Sequence, residues 1–144
     1  MVQFNARACS ACHACSVACI DENDLPRGAG RVCAYRRVTE QEKKTEAGYR
    51  FLRKMSGCMH CADAPCMAVC PADCFSRDGQ TGLILPDNSA CLGCRLCAEA
   101  CPFDAVSFGG NGLMQKCDGC IDRLRAGLRP ACEAICPPQA LKFL

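Results

Sequence analysis

Sixteen of the eighteen cysteines in this 144-residue chain fall into four groups of four, each with a tight internal spacing. The first group is Cys9, Cys12, Cys15 and Cys19, with intervals of two, two and three residues. The second is Cys58, Cys61, Cys66 and Cys70, with intervals of two, four and three, and Pro71 follows. The third is Cys91, Cys94, Cys97 and Cys101, spaced two, two and three before Pro102. The fourth is Cys117, Cys120, Cys132 and Cys136, spaced two, eleven and three before Pro137. This pattern constrains the fold more than any hydrophobic period does, because thiols packed so densely must be tied together by something.

Disulfides, zinc and iron–sulfur clusters are the candidates. Disulfide frameworks belong to oxidising compartments, and the start MVQFNARACSAC shows neither an apolar signal region nor a twin-arginine motif. A structural zinc site is complete with four ligands, commonly two C-x2-C pairs. It has no use for a third cysteine two residues on and a fourth just before proline. His13 and His60 lie inside cysteine groups and read as loop side chains near sulfur rather than as ligands. The run C-x2-C-x2-C-x3-C-P is instead the bacterial ferredoxin signature, whose fourth cysteine ligates the other cluster of a pair.

Groups two and three are contiguous, and groups one and four lie at the two ends. Pairing them in that way gives four ligand sets. Cys9, Cys12 and Cys15 share a cluster with Cys136, and Cys19 joins Cys117, Cys120 and Cys132. Cys58, Cys61 and Cys66 share a cluster with Cys101, and Cys70 joins Cys91, Cys94 and Cys97. Every position is Cys, so the expected cofactors are four [4Fe–4S] clusters with these sixteen cysteines as iron ligands. Cys33 and Cys74 are left over and read as small buried side chains.

Cysteine is about an eighth of the chain, Trp is absent and aromatics are 6%. Halves of about 70 residues bury too little apolar surface to be stable without staples, and clusters supply them. The formal charge of +2 becomes about −6 once four clusters of roughly −2 each are bound. The basic residues Arg36, Arg37, Arg53, Lys54 and those from Arg123 to Arg129 then act as local compensation, and no nucleic-acid partner is needed to explain them. No stretch approaches the ~18 apolar residues of a direct membrane span. No nucleophile–base pair, phosphate loop or dinucleotide fingerprint stands beside the cysteines, so the chain reads as a non-catalytic conductor without a catalytic residue of its own.

The expected fold is α+β. It consists of tandem two-cluster ferredoxin-like modules, one inserted within the other, with short hairpins and short helices around four cubanes. Residues 1–50 and 109–144 form the outer module, and residues 51–108 the inserted one. A hairpin is expected from Cys74–Ser76 through Asp78-Gly79 to Leu83–Leu85, closed by Pro86, and another from Ala105–Phe108 through Gly-Gly-Asn-Gly to Leu113–Gln115. Val2–Phe4 and Leu141–Leu144 are expected to lie in one module. Short helices at Ala14–Asp21, Pro65–Val69, Arg95–Ala100 and Cys120–Ala126 should carry the fourth cysteine of each group, with Gly127 ending the last, and the eleven-residue interval of group four is expected to hold this extra helix and an Arg129-Pro130 turn. The charged run EQEKKTE reads as a solvated loop.

The stretches CMHCADAPCMAVCPADC, CLGCRLCAEACPFDAV and KCDGCIDRLRAGLRPACEAICPPQAL resemble the four-cluster iron–sulfur subunits of the dimethyl sulfoxide reductase class. The resemblance covers nearly the whole chain. It implies an electron path through four clusters in a line, from a large molybdenum- or tungsten-pterin catalytic subunit to a second redox partner. That partner is a flavin subunit, a quinone-reactive subunit or a soluble carrier. By similarity the set with Cys9 lies nearest the catalytic subunit and the set with Cys70 farthest from it. Nitrate reductase relatives carry Trp at the position of Cys94, and Cys there favours four irons. The chain ends eight residues after Cys136, which favours a soluble complex over a membrane-anchored one. It is also similar to the polyferredoxin subunit of tungsten aldehyde oxidoreductases. Two alternatives are a free polyferredoxin shuttling electrons among several enzymes and the conducting scaffold of a tungsten aldehyde oxidoreductase filament. The expected compartment is the cytoplasm, with co-export to the periplasm on a signal-bearing partner as the alternative.

Overall fold

The computed structural model describes residues 2–25 and 34–144, so the expectation for Cys33 lies outside the described residues. Its strands pair two by two. In chain order the elements are β1 (Val2–Phe4), α1 (Ala14–Glu22), β2 (Arg36–Thr45), β3 (Gly48–Gly57), α2 (Pro65–Ala68), β4 (Phe75–Arg77), β5 (Ile84–Pro86) and α3 (Leu96–Glu99). Then come β6 (Val106–Phe108), β7 (Met114–Lys116), α4 (Ile121–Arg125), α5 (Ala131–Ala134) and β8 (Leu141–Phe143). The result is a small mixed helix–strand, ferredoxin-like domain.

Local chemistry explains the short hairpins. In the β4–β5 turn the Asp78 carboxylate accepts from the amides of Gln80 and Thr81 and from the Thr81 hydroxyl, at 3.2, 2.8 and 2.6 Å. The β6–β7 turn is closed by Asn111, whose side-chain oxygen accepts from Leu113 N–H at 3.1 Å. The chain's ends meet as expected: β1 and β8 pair antiparallel, with Val2 opposite Phe143 and Phe4 opposite Leu141. Pro86 is the last residue of β5, opposite Phe75, and so closes the run as expected while still counting as strand. It is tolerated because the ribbon leaves that strand an edge.

Three expectations are corrected. The run EQEKKTE is not a loop. It falls in β2 and the turn after it, and β2 and β3 form a ribbon of ten residues per strand. The run is solvated as expected, but cross-strand pairs such as Glu40–Arg53, 2.7 Å apart, hold it extended. Secondly, only α1 carries a fourth cysteine, Cys19. The helices α2, α3 and α5 carry the third cysteines Cys66, Cys97 and Cys132, and Cys70, Cys101 and Cys136 follow just beyond the helix ends. Thirdly, the eleven-residue interval of group four holds α4 and then the start of a second helix, α5, which Pro130 opens. Gly127, at φ +74°, does end α4, where Leu128 N–H bonds back to Arg123 C=O at 2.8 Å.

Apolar side chains gather in two cores and a seam. One core is built on Phe75, Ile84, Val106 and Met114 with Cys66 and Cys97. The other is built on Val2, Val38, Ala140 and Leu141 with Cys9, Cys15 and Cys132. Between them Cys58, Ala105 and Cys117 are buried against Tyr35 and Cys101.

Candidate iron–sulfur centres

One turn is repeated at the head of every cysteine group. The residue two positions after the first cysteine takes the left-handed conformation: Ala11, His60, Gly93 and Gly119, at φ +55°, +49°, +66° and +76°. In three of the four this residue's own N–H points back at the first sulfur, from Ala11 to Cys9 and His60 to Cys58, both at 3.4 Å, and Gly119 to Cys117 at 3.3 Å. Cys91 accepts from Met114 N–H at 3.4 Å. A second repeat follows the fourth cysteine, where Asp73, Asp104 and Gln139 are left-handed three residues on. Here Cys70 and Cys136 accept N–H bonds from Cys74 and Ala140, at 3.3 and 3.2 Å. A left-handed non-glycine residue costs roughly 1–2 kcal/mol. The chain accepts that cost repeatedly to aim amides at sulfur, which stabilises the thiolate form.

These turns wall three cavities of similar size. Cys9, Cys12, Cys15 and Cys136 line one of about 310 Å3. Cys58, Cys61, Cys66 and Cys101 line one of about 350 Å3. Cys70, Cys91, Cys94 and Cys97 line one of about 310 Å3, into which Cys74 also faces. Of the remaining four predicted residues, Cys19, Cys120 and Cys132 are close enough to act on one another: the Cys120 thiol is pushed up to about 11 by burial, and the charges of Cys132 and Cys19 add to the rise. Among the described residues no three His, Cys, Asp or Glu side chains converge tightly enough to hold a single ion. The donor sets are spread around a space, as a cubane with a ligand at each iron requires.

The sets lie next to one another in a series. Cys15 is raised by burial and then by the charge of Cys132, across the first and second sets. Cys117, raised to about 12 chiefly by burial, is raised further by the charge of Cys58, across the second and third sets. Cys66 and Cys97, of the third and fourth, share one core, where α2 packs on α3. Exposure follows the same order. The second cysteines of the terminal sets, Cys12 and Cys94, are exposed, whereas Cys61 and Cys120 are half-buried.

Several functional candidates escaped the sequence reading. Cys74 is buried, as expected, but it is more than core filling: its thiol, pushed up to about 12 by burial, shares the Cys70–Cys91 cavity as a fifth sulfur. His60 is a loop side chain near sulfur, as expected, but it is also a buried wall of its cavity. Its Nδ1 accepts from Ile84 N–H at 3.1 Å, which leaves the proton on Nε2. Burial, then the charges of Lys116 and Arg36, push it down to about 3, so the ring is neutral. Arg36 and Lys116 are 1% and 3% exposed. Arg36 donates to Cys58 C=O at 3.2 Å and lies over the Phe143 ring at 5.7 Å. Lys116 donates to the carbonyls of Ile84 and Cys117, at 2.5 and 2.7 Å. Arg36 Nε and His60 Nε2 are buried without a protein partner among the described residues. Orphaned donors and buried cations beside sulfur-walled cavities fit an anionic, sulfide-rich occupant. Several other basic residues are paired outside, among them Arg37 with Asp104, Arg123 with Glu22, and Arg125 with Asp78.

Comparison with known proteins agrees with this chemistry. Residues 50–144 match the family model of the 4Fe-4S dicluster domain. The chain is 42% identical over 139 residues to the thiosulfate reductase electron transfer subunit PhsB of Salmonella typhi, covering 95% of this chain and 71% of that protein. It is 35% identical to the B subunit of the anaerobic dimethyl sulfoxide reductase of Haemophilus influenzae, covering 97% and 71%. It is 36% identical to the formate dehydrogenase iron-sulfur subunit of Wolinella succinogenes, covering 92% and 74%. The chain therefore belongs to the 4Fe-4S dicluster domain family, and its cofactors are four [4Fe–4S] clusters.

Proposed function

We propose that this chain is the electron-transfer subunit of a molybdenum- or tungsten-pterin oxidoreductase, relaying electrons between a large catalytic subunit and a second redox partner. Bound in the four cysteine sets, the clusters supply one-electron carriers. The protein's own part is to fix and insulate them. Amides aimed at Cys9, Cys58, Cys117 and Cys136 hold the sulfurs, and apolar side chains such as Val38, Ile84 and Met114 keep water from the walls. We assign Cys9, Cys12, Cys15 and Cys136 to the first cluster, and Cys19, Cys117, Cys120 and Cys132 to the second. Cys58, Cys61, Cys66 and Cys101 hold the third, and Cys70, Cys91, Cys94 and Cys97 the fourth. On this reading two ferredoxin-like modules are nested, with the chain's ends closing the outer one.

The observation that carries the reading is the graded exposure along the series. Cys12 and Cys94 reach solvent at opposite ends, while the middle sets are more enclosed. A relay needs that arrangement, with two contact ends and a protected interior. We place the catalytic subunit at the Cys12 end and the second partner, a flavin or quinone-reactive subunit or a soluble carrier, at the Cys94 end. Among the described residues no helix is long and apolar enough to cross a membrane. We place the complex in the cytoplasm, whose reducing conditions keep sixteen thiols available for cluster assembly.

Anaerobic purification from the native host tests the proposal. The expected result is copurification with a pterin-containing chain, about sixteen irons per subunit, and electron paramagnetic resonance signals of interacting [4Fe–4S]+ centres. Recovery of the chain alone, reducing several unrelated enzymes in a salt-sensitive way, would replace the fixed subunit with a free shuttle.

A further inference from the structure

The seam between the two cores holds two buried cations that the ligand assignment does not use. Arg36 enters it from the start of β2 and Lys116 from the end of β7. Among the described residues neither has a carboxylate against it. Arg36 reaches Cys58 C=O, Met55 Sδ at 3.6 Å and the Phe143 face, and Lys116 reaches two carbonyls. A full charge enclosed with only neutral protein partners is strongly unfavourable unless an anion faces it. Both charges bear on the buried ring of His60 and on the cysteines around them. The Arg36 side chain is within hydrogen-bonding reach of Cys132, and its backbone N–H is bonded to Cys19. Lys116 lines the cavity walled by Cys58, Cys61, Cys66 and Cys101 and is bonded to the carbonyl of Cys117.

The backbone is shaped around Arg36. A Cβ on Gly57, paired opposite Arg36, would lie 2.6 Å from the guanidinium Nη1 and 2.8 Å from Tyr35 C=O. Gly57 thus leaves the space in which the guanidinium lies.

We propose that Arg36 and Lys116 are positioning charges that raise the reduction potentials of the two middle clusters, Arg36 chiefly that of the Cys19–Cys117–Cys120–Cys132 cluster and Lys116 chiefly that of the Cys58–Cys61–Cys66–Cys101 cluster. The inference rests on the ligand assignment given above. Its physics is simple. Reduction adds one electron, hence one negative charge, to a cluster already anionic, and a cation buried nearby stabilises that product more than the oxidised state. The two cations keep the interior of the relay from becoming a barrier between its ends.

The test is a redox titration of the intact complex, followed cluster by cluster by electron paramagnetic resonance. Wild type with well under sixteen irons would defeat the ligand assignment itself, whatever the variants do. Given full loading, Arg36→Met is expected to lower the second cluster's reduced-to-oxidised ratio at fixed potential at least tenfold, equal to about 59 mV for one electron. Lys116→Met is expected to do the same to the third cluster. Arg36→Lys, which keeps the charge, is expected to restore most of the shift. Unchanged potentials in fully loaded Arg36→Met, or an equal fall in Arg36→Lys, would overturn the proposal, because packing rather than charge would then be responsible. Should Arg36→Met lose iron, Gly57→Ala displaces the guanidinium without removing it. A negative shift of the second cluster alone supports the proposal there, and no shift overturns it.

Discussion

The two cores use one ligand turn but close it in different ways. The core around Phe75, Ile84 and Met114 is drawn from a continuous stretch, and its hairpins are shut by Asp78 and Asn111, which bond their own turns. The core around Val2, Val38 and Leu141 joins the two ends of the chain. It is shut by a three-residue strand pair, β1 on β8, and by α1 packed on α5. The longer closure is cheap in entropy: going from about 50 to about 140 residues adds only ~1 kcal/mol. What differs is redundancy. The first core is held by local turns that form independently, whereas the second depends on residues near position 141 finding residues near position 2. The cysteine turn is therefore portable, and the means of closing it decides how robust each half is.

The largest expected effect breaks that closure. Removing residues 141–144 deletes β8 and the buried Leu141. The expected outcome is loss of the sets holding Cys9 and Cys19 with retention of the other two, so that iron per chain falls by roughly half. Iron analysis and the spin count of the dithionite-reduced protein check it. Iron falling to near zero would show that the cores fold as one. The milder pair Leu141→Ala and Met114→Ala, both at nearly fully buried sites, should each cost about 2–5 kcal/mol, measured by chemical denaturation of the loaded protein.

The four cysteine groups were readable because their spacing is local, whereas the left-handed residue and the amide aimed at the first sulfur came only with the structure. The short hairpins were readable from Asp78-Gly79 and from Gly109 to Gly112 for the same reason. The β2–β3 ribbon was not. Its outer half is exposed on both faces, so no apolar alternation marks Glu40 to Lys44 as strand. The helix α5 was missed because the eleven-residue interval was read as one helix and a turn. Pro130, at a helix start, was the available signal. Arg36 and Lys116 are basic residues whose type alone points to the surface. Their burial follows from sulfurs contributed by distant segments, and only the adjacency of Lys116 to Cys117 hinted at it.

A second comparison concerns the left-handed position itself. Ala11 and His60 fill it with side chains, while Gly93 and Gly119 leave it bare. A Cβ at Gly93 would meet Gly112 C=O at 2.8 Å, a backbone atom, whereas at Gly119 it would meet the end of the Leu83 side chain at 2.6 Å. Both substitutions incur the left-handed penalty of roughly 1–2 kcal/mol, but only Leu83 can turn aside. Gly93→Ala should therefore be the more damaging, destabilising by about 3 kcal/mol against about 2 for Gly119→Ala. Denaturant midpoints of the two loaded variants decide it, and the reverse order would show that the Leu83 packing is the stiffer of the two.

The smallest effect is expected at the surface link of the outer half. Arg123 on α4 reaches Glu22 at the end of α1, 3.1 Å away and 101 residues distant in sequence. Both side chains are about 30% exposed, so water and salt screen the pair. Arg123 also donates to Arg129 C=O at 2.8 Å, which steadies the turn after α4. Glu22→Gln removes the ion pair and leaves that second bond intact. It should cost no more than about 1 kcal/mol, a difference that shrinks further in about 0.5 M salt. Arg123→Ala loses both contacts and should cost somewhat more. If Glu22→Gln alone matched the Leu141→Ala loss, the outer half would be held shut by charge across α1 and α4, and the strand pair at the chain's ends would be secondary to it.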